Sequence, residues 1–313
     1  MRRLLLAAAA VLALAGCNYA PYASFHPAPA VASTPAMQRA QGSFEGVRGT
    51  RIFEQSWRPV TEPRAVLVVV HGLKDHSSRY GELAERLVRE GYAVHALDLR
   101  GHAHSEGVRV DIESFDDYTG DLSIFLDRVR AAEPGKPIFV FGHSMGGAIV
   151  TLHQIEKKPD VKGLLLSGAA LAVDLPGVKV AGTKFIAAIE PNAGIFNLDI
   201  DKFSRDKAVV EACKSDPLVY QDGAPARTAR ALLGAIDTIQ ERMGEITVPL
   251  LVMHGAADEV TPPQGSRDLV DRARSTDKTL KIYPNLVHDL VHEPEKEQVF
   301  TDIIAWLGAR ASR

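Results

Sequence analysis

The stretch FVFGHSMGGAIV, residues 139–150, joins two apolar runs through a Gly-His-Ser-Met-Gly turn. The first run is typical of a buried strand, and the second, with its small residues, is typical of a helix. A Gly-x-Ser-x-Gly turn between a strand and a helix exposes the serine hydroxyl, which is the arrangement of a nucleophile elbow. The stretch therefore predicts an α/β fold with Ser144 as nucleophile, although glycine-rich turns also occur for packing alone.

Strand and helix patterns alternate on both sides of this turn. The runs RAVLVVVHG (64–72), YAVHALDLRG (92–101) and VPLLVMHGAAD (248–258) are typical of strands buried on both faces of a parallel sheet. Residues from about 170 to 245 are helix-prone and contain no strand-like run. The sequence therefore predicts a mostly parallel, doubly wound α/β sheet, with a helical cap at about 170–245 inserted late in the sheet. Residues 43–47 and 50–59 predict a starting hairpin.

The N-terminus has the pattern of a secretory signal. Residues 1–17, MRRLLLAAAAVLALAGC, combine a basic start, a short apolar stretch and small residues before a cysteine. The tail LAGC resembles the bacterial lipobox, which predicts a signal peptide over 1–16 and a lipid anchor on Cys17. Asn18 then favours the outer membrane of a Gram-negative cell envelope. The alternative is cleavage after Ala15, which would give a soluble periplasmic or secreted protein.

The following residues, 17–42, are rich in Ala, Pro and Ser and lack apolar periodicity, so we expect a flexible tether before a folded α/β domain over 43–313. The net charge of −3 gives no nucleic-acid footprint. Only Cys17 and Cys213 are present, so acylation of the first excludes an intramolecular disulfide. The sequence leaves protein partners open.

A serine nucleophile needs a base that an acid holds in place. In this fold the order along the chain is Ser, then Asp or Glu, then His. Asp258 ends one predicted strand segment and His288 ends the next, so we predict a triad of Ser144, Asp258 and His288. The alternatives are Glu259 or Asp174 as the acid and His292 as the base.

The expected oxyanion hole consists of two backbone amides. The elbow presents the amide of Met145 at the start of a helix, where anions are favoured. The His-Gly turn that ends the run 64–72 presents the second amide, that of Leu73. HDLVH (288–292) is one methylene short of a zinc-protease signature, but Pro284 and Pro294 bracket it and oppose the helix that such a site needs. We therefore expect neither a metal nor another cofactor.

Five segments together resemble the monoacylglycerol lipase branch of the α/β-hydrolase superfamily, over about residues 45 to 310. They are HGLKDHSSRY (71–80), GHSMGGAI (142–149), KSDPLVY (214–220), VPLLVMHGAADEVTPP (248–263) and DKTLKIYPNLVHDLVHE (277–293). The resemblance implies the same triad, the same two amides and a helical cap. In DLRGHAHSEG (98–107) the chain departs from the family, because Ala103 stands where the family usually has glycine.

The predicted reaction is hydrolysis of a single-chain lipid ester through an acyl-enzyme, and the resemblance points to a monoacylglycerol. Arg79 and His143 are candidates to contact the alcohol moiety, with a surface arginine and a packing histidine as the alternatives. A lysophospholipase is the close alternative. An aminopeptidase would need a carboxylate such as Glu190 or Asp199 to hold the substrate amine, and a binding lipoprotein would be non-catalytic.

Overall fold

A computed structural model describes residues 20–174 and 176–311. Its central feature is an eight-stranded sheet in the order β12-β11-β8-β7-β4-β5-β3-β2. The pairs β2–β3 and β3–β5 are antiparallel and the remaining neighbours are parallel. The strands are β1 (Tyr22–Ala23), β2 (Met37–Glu45), β3 (Arg51–Pro59), β4 (Ala65–Val70), β5 (Tyr92–Leu97), β6 (Gly107–Val108), β7 (Ile138–His143), β8 (Gly163–Ser167), β9 (Gly194–Phe196), β10 (Ala224–Pro225), β11 (Leu250–Gly255) and β12 (Lys278–Tyr283).

Helices cover both faces of the sheet. They are α1 (Gly81–Arg89), α2 (Asp116–Ala132), α3 (Met145–Lys157), α4 (Gly177–Ile189), α5 (Lys207–Ser215), α6 (Ala226–Arg242), α7 (Pro263–Arg272) and α8 (Lys296–Gly308). The predicted mostly parallel α/β-hydrolase fold is confirmed. Within the described ranges, no helix is both long and apolar enough to cross a membrane.

Strand β4 shows why the continuous apolar runs form the centre of the sheet. All six of its residues are buried. Successive side chains of a strand point to opposite faces, so Val66 and Val68 pack with the helices α2, α3 and α6. Leu67 and Val69 pack instead with α1 and α8. A strand with a core on each face has no solvent side, which is why the apolar run is unbroken.

The cap lies between β8 and β11, as the helix-prone segment predicts. It contains α4, α5 and α6 and the short pair β9–β10. Helix α4 packs against α6, and the side chains of Val178, Phe185 and Ile189 on α4 are exposed. A smaller apolar cluster stabilises the rest of the cap; it consists of Ile200, Phe203, Val210, Cys213 and Val219.

The predicted tether over 17–42 is too long. Strand β2 begins at Met37 and pairs with β3 from Met37↔Pro59 to Glu45↔Arg51, so the hairpin starts earlier than 43. Upstream of it, β1 pairs with β6. Strand β2 lies at the edge of the sheet and has mostly polar, half-exposed side chains, so it lacks the apolar alternation that predicts strands. Cys17 and the signal peptide lie outside the described residues.

Candidate active site

Ser144 occupies the turn between β7 and α3. Its backbone has φ 53° and ψ −121°, a conformation that an L-residue adopts only under strain. The close approach of α3 to the end of β4 requires glycine two residues after Ser144, because a Cβ on Gly146 would lie 2.2 Å from the carbonyl oxygen of Val70. The elbow thus places Ser144 at the carboxyl end of the inner strand β7, where it lines a cavity, as the sequence predicts for this turn.

The structure brings Ser144, His288 and Asp258 into one hydrogen-bonded chain. The Nε2 atom of His288 lies 2.9 Å from Ser144 Oγ. On the other side of the ring, Nδ1 lies 2.8 Å from Asp258 Oδ2. A carboxylate only accepts, so Nδ1 carries a proton and Nε2 is left to accept the serine hydroxyl. This is the tautomer that a general base needs.

Backbone amides fix the other oxygen of Asp258. Val260 N and Thr261 N donate to Oδ1 at 2.7 and 2.9 Å. Burial opposes ionisation of the carboxyl, but the charge of His288 and the hydrogen bonds from His254 and His288 outweigh it. They hold the pKa of Asp258 well below its usual range. The acid is therefore ionised at neutral pH and can stabilise an imidazolium.

Two backbone amides beside Ser144 are open to a ligand. In the part of the chain that the structure describes, neither Leu73 N nor Met145 N donates a hydrogen bond. Both residues line the same cavity as Ser144. Gly72 keeps the two turns close together, since a Cβ there would lie 3.0 Å from Ser144 Cβ. The arrangement suits an oxyanion that develops on a bound carbonyl.

Lys74, which the sequence analysis did not single out, follows the Leu73 amide. Its φ is +56°, and its side chain is only 2% exposed. Its Nζ donates to the carbonyl of Gln221 in the cap at 3.1 Å. Burial lowers the pKa of this ammonium. Lys74 thus ties the turn that carries the Leu73 amide to the cap.

A buried ion-pair network lies behind the histidine. Arg79 donates to Asp75 at 3.0 Å and to Asp289 at 2.8 Å. Tyr80 donates to the second oxygen of Asp75 at 2.8 Å. Burial opposes the charge of Asp75, but Arg79 holds its pKa below the usual range. The signal for this network was in the motif HGLKDHSSRY, but its partner Asp289 is remote in sequence.

Arg79 and His143 do not line the cavity. Arg79 is held by its two carboxylates, and its side chain is 11% exposed. The Nδ1 atom of His143 donates to the carbonyl of Ser167 at 3.0 Å, and its ring packs at a tilt of 49° against that of His288, with 4.8 Å between the ring centroids. Burial lowers the pKa of His143 to about 4, so the ring is neutral. His143 thus packs against the triad histidine, and Arg79 contacts the neighbouring Asp289. A contact of either side chain with the alcohol moiety stays a prediction.

The rival residues have other surroundings. Glu259 pairs with Lys202 at 2.7 Å on the surface, and Asp174 is exposed on the cavity rim. Both ring nitrogens of His292 have protein partners, the carboxylate of Asp289 and the carbonyl of Arg79. Over residues 20–174 and 176–311, no group of three His, Cys, Asp or Glu side chains could hold a metal ion.

A cavity of about 690 Å³ opens above Ser144 under the cap. Its wall is largely apolar and is formed by the elbow, by α6 and by the β9 region. The apolar side chains include Leu73, Met145, Ala170, Ala172, Val173, Ile195, Phe196, Leu198, Ala229, Leu232, Leu233, Ile236 and Val260. The site can therefore hold an acyl chain with its carbonyl at the serine.

Comparisons with known proteins agree with this geometry. The profile of the family "Serine aminopeptidase, S33" matches residues 61–295. The chain is 40% identical over 271 residues to a monoacylglycerol lipase of Mycolicibacterium smegmatis, covering 86% of this chain and 97% of that protein. It is 34% identical over 269 residues to human monoglyceride lipase, covering 84% and 89%.

A solved structure gives the same result. The crystal structure of Paleococcus ferrophilus monoacylglycerol lipase aligns with a TM-score of 0.73 at 29% identity, covering 88% of this chain and 99% of that one. The chain therefore belongs to the serine aminopeptidase S33 family, as a monoacylglycerol lipase-like α/β-hydrolase and serine ester hydrolase.

Proposed function

We propose that this hydrolase cleaves monoacylglycerols to fatty acid and glycerol, with Ser144 as nucleophile, His288 as base and Asp258 as the orienting acid. One observation carries the proposal: the hydroxyl bonded to His288 Nε2 lies at the floor of an apolar cavity. The open amides of Leu73 and Met145 beside it serve as the oxyanion hole. The relatives named monoacylglycerol lipase support the substrate class.

Acylation begins when Ser144 Oγ attacks the ester carbonyl and its proton passes to His288 Nε2. Asp258 stabilises the imidazolium through Nδ1, and the two amides hold the negative carbonyl oxygen. The tetrahedral intermediate collapses as the bond to the glycerol oxygen breaks. His288 returns the proton to that oxygen, so glycerol leaves and the acyl group stays on Ser144.

Deacylation repeats the steps with water in place of the alcohol. His288 takes a proton from the water, and the resulting hydroxide adds to the acyl carbonyl in the same oxyanion hole. The bond to Ser144 Oγ then breaks, and the proton on His288 returns to that oxygen. The fatty acid is released and the serine is regenerated.

The charges of the cavity favour a neutral head group. Of the described residues that line the cavity, only Lys202 is a cation, and it pairs with Glu259. Asp174 and Asp199 also lie on the wall. An anionic phosphate would meet mostly carboxylates there, so these charges disfavour a lysophospholipid whose head group carries a net negative charge.

Aminopeptidase activity is the second candidate function, because a carboxylate on the cavity wall can bind a substrate amine. Asp199 does line the cavity, whereas Glu190 is not among the lining residues. The open amides and the apolar wall suit an acyl ester at least as well. Hydrolysis of an aminoacyl arylamide is therefore measured beside that of the lipids.

The deciding experiment compares kcat/KM for a monoacylglycerol, a lysophosphatidylcholine of the same acyl chain and an aminoacyl arylamide. Ser144→Ala protein is the blank, and Ser123→Ala, which changes a serine on α2 outside the cavity, is the matched control. We expect a preference for the glycerol ester that is lost in the blank and kept in the control. A preference for either other substrate would replace the proposed substrate.

We also propose that the protein is anchored to the bacterial envelope through Cys17, at the outer membrane of a Gram-negative host. The lipobox LAGC supports the anchor. Because Tyr22 and Ala23 already pair with β6, few residues remain between Cys17 and the folded domain, which would hold the enzyme close to the lipid surface. Incorporation of labelled palmitate, abolished in Cys17→Ser, tests this; equal labelling of both proteins would contradict it.

A further inference from the structure

A second imidazole lies against the triad carboxylate. His254 is the second-to-last residue of strand β11, four residues before Asp258, and is fully buried. Its Nε2 lies 3.1 Å from Asp258 Oδ2, the same oxygen that accepts from His288 at 2.8 Å. His254 takes no part in the acylation and deacylation steps of Ser144, His288 and Asp258.

The carboxylate of Asp258 has about four acceptor positions, two on each oxygen. The amides of Val260 and Thr261 take the two positions on Oδ1. The hydroxyl of Thr261 lies 2.9 Å from Oδ2 but also 2.9 Å from the carbonyl of Gly168, which can only accept. Oδ2 is thus bonded to Nδ1 of His288 and lies 3.1 Å from Nε2 of His254, with the hydroxyl of Thr261 beside both nitrogens.

The surroundings of His254 fix which of its nitrogens carries the proton. Nε2 lies 3.0 Å from the carbonyl of Thr261 as well as close to Asp258, and both groups only accept. Nε2 is therefore protonated. Nδ1 lies 2.7 Å from the hydroxyl of Ser266, a fully buried residue on α7 that can donate to it. Helix α7 thus sets the tautomer whose N–H is bonded to the Thr261 carbonyl and lies beside Asp258 Oδ2.

We propose that His254 is a positioning residue, which acts through Asp258 by holding the carboxylate in the plane that His288 requires. The inference rests on the proposed triad and extends it by one partner. The terminal torsion of an aspartate is soft, and the amides of Val260 and Thr261 hold only Oδ1. Without the N–H of His254 beside it, the position of Oδ2 is therefore fixed less firmly. The bond to His288 would then be lost in part of the population.

His254 also limits the negative charge that Asp258 presents to His288. A hydrogen bond to a carboxylate stabilises its charge and weakens its pull on a neighbouring proton. The other groups that face His288 are the neutral ring of His143, the hydroxyls of Ser144 and Thr261 and the ring of Phe203. Asp289, next in sequence, is held by Arg79 and His292. Removing His254 therefore changes only the Asp258 side.

The test compares His254→Leu, which has no donor, with His254→Gln, whose amide nitrogen can replace Nε2. For His254→Leu we expect kcat for the monoacylglycerol to fall by about 10- to 100-fold with little change in KM. We also expect the acid limb of the pH profile of kcat/KM to move up by about half a pH unit. His254→Gln should restore most of kcat and return the acid limb towards that of the wild type.

A matched control separates positioning from packing. His153→Leu removes another buried histidine, on α3, whose partner is Ser123 and not the triad. It should lower stability and leave both kcat and the acid limb unchanged. If folded His254→Leu keeps the kcat and acid limb of the wild type, or if His254→Gln is as impaired as His254→Leu, the inference is wrong.

A measurement on the unaltered protein covers the case in which His254→Leu does not fold. Nitrogen-15 NMR of labelled histidines should show His254 with its proton on Nε2 and a bare Nδ1. A proton on Nδ1 alone would overturn the inference. Wild-type protein that hydrolyses none of the three substrates would instead contradict the proposed function, and this outcome is distinct because the tautomer is read without turnover.

Discussion

His292 and Asp289 form a charged pair, because both ring nitrogens of His292 face groups that only accept. Nδ1 lies 2.8 Å from the Asp289 carboxylate and Nε2 lies 2.8 Å from the carbonyl of Arg79. Both nitrogens must therefore donate, which makes the ring an imidazolium. The two cations Arg79 and His292 then balance the two buried carboxylates Asp75 and Asp289.

The first prediction follows from the charge of His292. Burial opposes this charge, but Asp289 raises the pKa of His292 above its ordinary value. The pair then stabilises the fold fully below about pH 6.5 and loses its contribution as the pH rises through the higher folded pKa. We expect His292→Gln to cost about 3 kcal/mol near pH 6 and less near pH 9. Urea unfolding of both proteins at each pH measures this, and a cost that does not vary with pH would contradict it.

The sequence predicted the elements whose signal is local. The runs around β4, β7 and β11 are buried on both faces, and the turn at Ser144 has a fixed pattern, so strands and elbow could be identified. The order Ser, Asp, His also named the three side chains that the structure joins. Asp289, the second partner of Arg79, could not be found in this way, because it comes close to Arg79 only in the folded chain.

The N-terminal segment shows the opposite case. Strand β1 pairs with β6 over a long loop and has only two residues, so nothing in the composition near Tyr22 marks it as a strand. His254 and Lys74 were also missed as parts of the site. Their roles depend on one oxygen of Asp258 and one carbonyl of Gln221, which no spacing along the chain predicts.

A second prediction concerns the loss of folding stability at acidic pH through the buried His153. Burial lowers the pKa of His153 to about 4, so the folded state resists a proton that the unfolded chain accepts near pH 6.5. Stability is therefore lost between about pH 6.5 and pH 4, by up to ~3 kcal/mol from this group. His153→Gln should make unfolding less sensitive to pH in this window. The comparison is urea unfolding of both proteins from pH 4 to 7, and equal slopes would contradict it.

A third prediction concerns Ala103, which stands where the monoacylglycerol lipase branch usually has glycine. Its φ is +41°, in the left-handed region that favours glycine. Ala103→Gly relieves this strain, of about 1–2 kcal/mol, but gives the unfolded chain about 0.5–1 kcal/mol of extra entropy. We expect a net gain of up to about 1 kcal/mol in unfolding free energy.

The control for Ala103→Gly is Ala188→Gly on the exposed side of α4. The backbone there is helical, so glycine has no strain to relieve and should cost about 1 kcal/mol. Opposite signs for the two substitutions, measured by urea unfolding, would support the strain at Ala103. A loss of stability in both would show that the left-handed conformation costs this alanine little.

The last prediction concerns the strand that the composition did not reveal. Tyr22 bonds to Glu106 and pairs with Val108, while the amides of Arg109 and His26 bond across the same contact. Tyr22 is exposed, so we expect Tyr22→Ala to remove about 1 kcal/mol of local stability. Cleavage by a protease within 24–33 should then become about fivefold faster, because local opening of the segment limits the rate of cleavage.

Hydrolysis of a soluble ester by Tyr22→Ala should stay unchanged, since the segment does not line the cavity. Val31→Ala, an exposed change in the same segment, is the control, and equal cleavage rates for the two variants would show that β1 does not hold the segment down.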